Sequence, residues 1–480
     1  MSEKSKTSRR DFLKTSSVIA AGATVVGGLD ISRTAYAAGD DVIKVVQIGC
    51  GGRGNGAIRD RLNVGDNIKV VAVADAFEGN AKNEARGLRG DENYQGKIDL
   101  PDDRVFWGLD AYKKAIDCIG SGDQVVIATP PGFRPYHYRY AIEKGCHVFM
   151  EKPLFTDATG FRHTCETNKM ADEKNLKVCV GLQRRHDPGL QQWIGKIHEG
   201  EIGDLLFSRV YWNGGGIWCR PRRENQTEMQ YQVDNWYHFV WLCGDNICEQ
   251  HVHNLDMGLW MHGKGDDMCH PVEANAQGGR QNPAAPLEIL NTAPDYSNKD
   301  AWWTWYQKNR DSCGRYGQAW DHFFVEFTFA DGSKMFSQCR HIGNCFDAVT
   351  QFAHGSKGYG NAEGGPGWLR DYAGKELYRV GCNSGQFGRE HVVHANAIRE
   401  NKKMNNGWYG AMSTMTAVLG REAAFCGKVL KWDDAVNKGR EHMPEGGVFD
   451  FDGNPPIMPD KNGFYESSVA KQGSYNPFKS

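Results

Sequence analysis

The chain has 480 residues, 40% of them hydrophobic and 24% charged, with a formal net charge of −2. That length calls for more than one core. The near-balanced charge excludes the basic footprint of a nucleic-acid-binding protein, and after residue 40 no apolar run is long enough to span a bilayer.

The first forty residues read as a targeting segment. Ser8-Arg9-Arg10-Asp11-Phe12-Leu13-Lys14 resembles a twin-arginine export signal, a weakly apolar stretch covers 18–29, and Ala35-Tyr36-Ala37 has the small-x-small form of a cleavage site. The expectation is a leader over 1–37 and a periplasmic or otherwise exported protein, with the twin-arginine machinery as a partner. That route carries folded proteins and suits an enzyme that acquires a cytoplasmic nucleotide before export. The 14 cysteines are scattered, with no C-x-x-C pair, and folding before export argues against a dense disulfide framework. They read as small buried hydrophobes, and no metal-ligand spacing is seen, so no metal site is expected.

Strand and helix alternate from residue 42 to about 184, the rhythm of a parallel doubly wound sheet. Val45-Val46-Gln47-Ile48 runs into Gly49-Cys50-Gly51-Gly52-Arg53-Gly54, a G-x-G-x-x-G turn that opens a helix. Such glycines serve a tight turn, close approach to a pyrophosphate, and close helix–strand packing. A second strand, 69–75, ends in Asp75 at the position of a ribose-binding carboxylate. Ala76 and Phe77 follow it, rather than an arginine to welcome a 2′-phosphate, which favours NAD over NADP. Three further strands end at Thr129-Pro130-Pro131, Glu151-Lys152-Pro153 and Gln183-Arg184-Arg185-His186. Ligands of open α/β sheets bind outside such strand ends.

From Gly203 the rhythm changes. Segments 204–211, 323–329 and 334–340 are strands rich in β-branched and aromatic residues, the last two joined by the hairpin turn Ala330-Asp331-Gly332-Ser333. They predict a second, α+β domain with an open, mainly antiparallel sheet. Two long tryptophan-rich stretches, about 213–240 and 272–320, read as irregular, functional or oligomeric loops. Residues 407–426 predict a helix. The expected layout is a leader over 1–37, a Rossmann domain over 38–184, an α+β substrate and oligomerisation domain over 185–433, and an extension over 434–480 that wraps a neighbour or the chain's own surface.

The set Gly49-Cys50-Gly51-Gly52-Arg53-Gly54, Ala128-Thr129-Pro130-Pro131, Glu151-Lys152-Pro153, Gly181-Leu182-Gln183-Arg184-Arg185 and Glu249-Gln250-His251-Val252-His253-Asn254-Leu255-Asp256 resembles the Gfo/Idh/MocA oxidoreductases. The resemblance covers about residues 42–433. It implies hydride transfer between a sugar or polyol CH–OH and a nicotinamide, with Gly49, Gly51, Gly52, Arg53, Gly54, Asp75, Thr129, Pro130, Glu151 and Lys152 at the cofactor. Lys152 matches the family's hydrogen-bond partner of the reacting oxygen, and His253 its catalytic histidine, a group that exchanges protons near neutral pH. Where the family pattern has an aspartate, this chain has Glu249. On a helix, positions 249 and 253 share one face, so the pair would converge.

His251, on another face, is a substrate contact on the same reading, and Asp256 reads as structural. Arg184 and Arg185 hydrogen-bond substrate hydroxyls, or one of them braces a carboxylate. Trp218, with Tyr211, Trp212, Trp236 and Tyr237, suits either stacking on sugar rings or a subunit interface. A homo-oligomer is expected. The rival is an NAD-dependent glycosidase that oxidises transiently, eliminates the aglycone and regenerates its cofactor. In either scheme a tightly bound cofactor suits an exported enzyme. A non-catalytic sugar-binding protein would not need both Lys152 and His253.

Overall fold

A computed structural model of the chain describes residues 42–478 apart from 66, 221, most of 282–316, 363–364, 384–386, 445–449, 462–463 and 470. The leader predicted over 1–37 lies outside the described residues.

The first half builds a parallel sheet in the order β3-β2-β1-β4-β5-β6. Its elements are β1 (Ile43–Ile48), α1 (Gly52–Leu62), β2 (Ile68–Asp75), α2 (Glu78–Gly90), β3 (Val105–Trp107), α3 (Ala111–Ile116), β4 (Gln124–Ile127), α4 (Arg134–Glu143), β5 (His147–Met150), α5 (Ala158–Glu173) and β6 (Val178–Val180). The strands are short and apolar on both faces because helices cover both sides. Val45, Val46, Val70, Val73, Val125 and Val126 are all buried. The strand order reverses between β1 and β4, which opens a crevice at their carboxyl ends. Two glycines make that crevice possible. Gly49 has φ +94° and lies against the Ala128 carbonyl; a Cβ on Gly54 would sit 2.0 Å from the Gly49 oxygen.

The second half follows with α6 (Pro188–His198), β7 (Leu205–Gly214), α7 (Glu228–Asp234), α8 (Val252–Gly263), β8 (Glu273–Gly279), β9 (His322–Thr328), β10 (Lys334–His341), β11 (Ala348–Gly355), β12 (Gly358–Asn361), β13 (Gly367–Asp371), β14 (Glu376–Val380), α9 (Phe387–Arg399), α10 (Gly407–Cys426), β15 (Leu430–Lys431) and α11 (Trp432–Lys438). The nine strands form one sheet, β14-β13-β12-β11-β7-β10-β9-β8-β15. It is mixed rather than purely antiparallel, because β10 runs parallel to β7. The predicted 330–333 turn closes the β9–β10 hairpin, with Gly332 at φ +84°.

Two sequence expectations need correction. Residues 273–279, placed in an irregular stretch, form strand β8, although Glu-Ala-Asn-Ala-Gln-Gly-Gly is a poor strand former. Its backbone pairs with β9 over its whole length, and that pairing overrides propensity. Strands β11–β14 were not anticipated. Strands β12, β13 and β14 have only 4, 5 and 5 residues, and β11 alternates half-buried with buried positions rather than running apolar.

The domains also interleave. Helix α10 is largely apolar, carries a buried Arg421–Glu422 ion pair, and is buried along nearly its whole length, as a helix with neighbours on every side must be. Ser413 donates to Asp256 of α8 (2.8 Å), and Thr414 accepts from the Leu154 amide (3.1 Å). Helix α9 returns to the first domain: His391 packs on Phe149 with ring centroids 4.1 Å apart, and Ile398 joins the core of Val45 and Val126. Residues 404 and 406 bond the edge of β6 through the Val178 amide and carbonyl. The extension beyond 434 lies on the chain's own surface. Ser467 accepts from the Trp320 indole (2.7 Å), and Gln472 donates to the Ala424 carbonyl (2.7 Å).

Candidate active site

The crevice at the ends of β1, β2 and β4 is open to solvent and measures about 730 Å³ to its mouth and beyond. One wall is the glycine turn with Gly49 and Gly51, and the next is Asp75 at the end of β2. The Asp75 carboxylate accepts from the Cys50 amide (2.7 Å), the Phe77 amide (2.9 Å) and Asn80 Nδ2 (3.1 Å). Burial raises its pKa; the three N–H groups and the Arg220 guanidinium oppose that. Thr129, Pro130, Phe133 and His137 form the far wall, with Thr129 Oγ1 3.1 Å from His137 Nδ1. Arg220, Val233 and Trp236 close the third side from the second domain.

The residues suit a dinucleotide. Cβ atoms built on Gly51 or Gly52 would meet nothing within 4 Å, so the ground above the first turn of α1 is open to a ligand's phosphates. No side chain caps that helix, whose free N–H groups and dipole favour an anion.

At the end of β5 the Lys152–Pro153 bond is cis. Lys152 Nζ pairs with Glu249 Oε1 at 2.5 Å, and both side chains are nearly buried. Burial pushes the Glu249 carboxyl upward, against the pull of the Lys152 ammonium. Glu249 is not on the helix with His253. It lies in the turn before α8, pinned by Tyr237 Oη on its carbonyl (2.8 Å), and reaches across to the first domain. His253 sits in the first turn of α8, 6% exposed, with Trp212 of β7 against its ring (centroids 5.9 Å apart). Its Nδ1 has no hydrogen-bond partner among the described residues. Burial, reinforced by the charges of Lys152, Arg184 and Arg53, holds its pKa well below the ordinary value, so the imidazole is neutral. The structure thus brings Lys152, Glu249 and His253 together, but through two domains rather than one helix face.

Several other residues stand elsewhere than the sequence reading placed them. The Arg53 guanidinium turns away from the crevice to Glu151 (2.6 Å), Asp60 (3.3 Å) and Glu390 of α9 (3.4 Å). Glu151 is its buried counter-ion, packed so tightly on Gly181 that a Cβ there would lie 2.6 Å from the carboxylate. Both residues brace the glycine turn against the Lys152 strand end. Arg185 is the arginine that holds a carboxylate: it makes three bonds of 2.9–3.1 Å to Asp256 and lies between the Trp260 and Tyr409 rings. Such a guanidinium has no face left for a substrate.

Fully buried His251 bonds Ser337 Oγ under the large sheet (2.7 Å) and does not line the crevice. Arg184 is buried near His253, with Nη1 3.5 Å from Gln351 Oε1. Trp218 packs against Trp236 and Tyr237, and Trp236 rather than Trp218 lines the crevice. The wall of Arg220, Val233 and Trp236 was missed. Its signal, an Arg-rich and Trp-rich stretch, was visible, but nothing in the sequence aimed it at the nucleotide.

The chain thus joins a parallel, doubly wound domain to a large mixed sheet, with a lysine–carboxylate pair and a buried histidine at the site just described. Residues 43–182 match the Gfo/Idh/MocA family, described as an oxidoreductase family with an NAD-binding Rossmann fold. Inositol 2-dehydrogenase of Corynebacterium glutamicum (strain R) is 28% identical over 152 residues, 30% of this chain and 43% of that protein. In Bacillus subtilis (strain 168), scyllo-inositol 2-dehydrogenase (NAD(+)) is 31% identical over 30% of this chain and 36% of its own length. The NADP(+) enzyme of that organism is 27% identical over 43% and 50%. The matched segments therefore span half or less of these relatives. Among solved structures, myo-inositol 2-dehydrogenase from Lactobacillus plantarum superposes with a TM-score of 0.54 at 18% identity, covering 82% of this chain and 99% of its own. For scyllo-inositol dehydrogenase from Lactobacillus casei the TM-score is 0.56 at 16% identity, with the same coverage. At these identities the likeness establishes the two-domain fold.

Proposed function

We propose that the protein is an exported, NAD-dependent oxidoreductase acting on a secondary hydroxyl of a sugar or polyol, with a cyclic polyol of the inositol kind as the leading class. The observation that carries this reading is the Lys152–Glu249 pair at the end of β5, the strand next to the β4 edge of the dinucleotide crevice, with a buried, neutral His253 close enough to feel the Lys152 charge. A nicotinamide bound there supplies hydride acceptance and donation. His253, neutral and with an unpartnered ring nitrogen, takes the hydroxyl proton. Lys152 donates a hydrogen bond to the same oxygen and stabilises the negative charge that develops on it. Glu249 holds that ammonium in place.

Asp75 favours NAD by offering acceptors to ribose hydroxyls and repelling a 2′-phosphate, although relatives of both cofactor types exist. The transient-oxidation glycosidase route is not favoured, since the named relatives are dehydrogenases. Purified protein mixed with NAD and a panel of inositols and pyranoses should form NADH with at least one cyclic polyol or sugar. Release of nitrophenol from a nitrophenyl glycoside without NADH, and no NADH from any free polyol, would overturn the reading.

Export rests on the Arg9-Arg10 leader. Replacing both arginines by lysine should strand folded protein in the cytoplasm, and undiminished periplasmic protein on cell fractionation would refute it.

A further inference from the structure

We infer that the second domain and the C-terminal extension together form a strap over the dinucleotide crevice, in which Arg220 binds the adenosine ribose–phosphate end of the cofactor. This rests on the NAD-dependent reading above.

Arg220 shares the crevice with Asp75 and is fixed before any ligand arrives. Its amide donates to Asn235 Oδ1 (2.7 Å), and Asn235 Nδ2 donates back to its carbonyl (3.1 Å). Its guanidinium bonds the carboxylate and the carbonyl of Asp234, the last residue of α7. The other oxygen of that carboxylate holds Arg223 (3.0 Å), whose guanidinium lies 5.7 Å from the Phe77 ring centroid on the opposite lip. A guanidinium positioned in this way offers N–H donors and a positive charge that suit ribose hydroxyls and a phosphate oxygen.

Helix α7 is too short to stand alone, and the extension holds it in place. The Thr227 hydroxyl at its N-terminus donates to the Phe451 carbonyl (2.6 Å), Gln232 Nε2 donates to the Ile457 carbonyl (2.6 Å), and Glu228 bonds the Tyr465 hydroxyl. Phe451 in turn stacks on Phe77, ring centroids 5.5 Å apart. These contacts belong to one apolar cluster that joins Phe77 and Leu109 on the dinucleotide domain to Val233 and Trp236 on the second and to Phe451 and Tyr465 on the extension. The cluster is distinct from the cores of both domains and spans the crevice. Releasing the cofactor requires opening it, so the strap acts on residence time.

The test is stopped-flow NADH fluorescence on full-length protein carrying Arg220→Ala or Phe451→Ala. Loss of one charge-assisted contact should raise the dissociation rate of the Arg220→Ala variant about tenfold. Phe451→Ala touches no ligand, yet it should raise the same rate several-fold with association little changed. Arg220→Lys should recover part of the loss. Wild-type release rates in both alanine variants would overturn the strap alone, provided the wild type binds NADH. A wild type that binds no dinucleotide would overturn the strap and the NAD-dependent reading together.

Discussion

Replacing Lys152 by alanine should lower turnover by ~10²–10⁴-fold, the range expected for loss of a group that serves proton transfer and charge stabilisation. His253→Ala should fall in the same range. NAD affinity should barely change in either variant, because the glycine turn and Asp75 are made by other strand ends. In the proposed mechanism both side chains serve one hydroxyl, so the double variant should lose far less than the product of the single losses. Fully multiplicative losses would mean that the two act independently and that the site is drawn wrongly. Glu249→Gln is the finer probe: it keeps the shape and removes the charge 2.5 Å from Lys152, so kcat should drop with KM nearly unchanged. The pH profile is a further check. With its pKa held well below the ordinary ~6.5, His253 stays a competent base as pH falls through 6.5. The profile of kcat/KM should therefore stay flat from pH 7.5 to 6, and an acid limb centred at 6.5 would contradict the burial of this histidine.

The second large effect is acid lability. Burial holds His137, His147, His251, His262 and His394 near pKa 3, and His186, His238 and His341 near 4. In the unfolded chain each returns to about 6.5. Below that pH the unfolded state binds protons that the native state refuses, so stability rises with pH and is lost as pH falls. At pH 5 each histidine costs about 2 kcal/mol on this linkage, and eight together on the order of 15 kcal/mol.

Buried acids act in the opposite sense. Asp245, raised to about 7, takes up a proton in the native state and returns about 2 kcal/mol over the same interval. The net loss, on the order of 13 kcal/mol, is comparable with a typical domain stability of about 5–15 kcal/mol. Thermal melts followed by circular dichroism should show Tm falling steeply between pH 6.5 and 5. A Tm constant across that interval would mean that these imidazoles reach water in the native protein.

Local signals determined the dinucleotide half. Each parallel strand buried on both faces must be a short apolar run, and the turns that leave β1, β4 and β5 carry glycine or proline. The strands ending at Asp75, Thr129 and Lys152 could therefore be read one by one, as could Gly49, whose φ of +94° strains any other residue, and Gly54, where a side chain would run into the Gly49 carbonyl. Lys152 and His253 were legible because each sits in a motif, as was the helix at 407–426 from its length and apolarity.

What tertiary structure decided was where side chains go and which distant segments meet. Arg53 stands within the phosphate turn by sequence, yet three carboxylates, one of them 337 residues away on α9, pull it elsewhere. Arg184 and Arg185 are adjacent and chemically identical, and only the packing of Asp256, Trp260 and Tyr409 tells them apart. Glu249 reaches Lys152 because a turn, not a helix, precedes His253. Strands β8 and β11–β14 acquire their conformation from ladder partners rather than from their own propensity. The wall of Arg220 and Trp236, held by Phe451 and Tyr465, joins stretches more than 200 residues apart. A contact at that separation leaves no periodicity in the sequence, because it depends on the summed packing of two domains rather than on the spacing of neighbours.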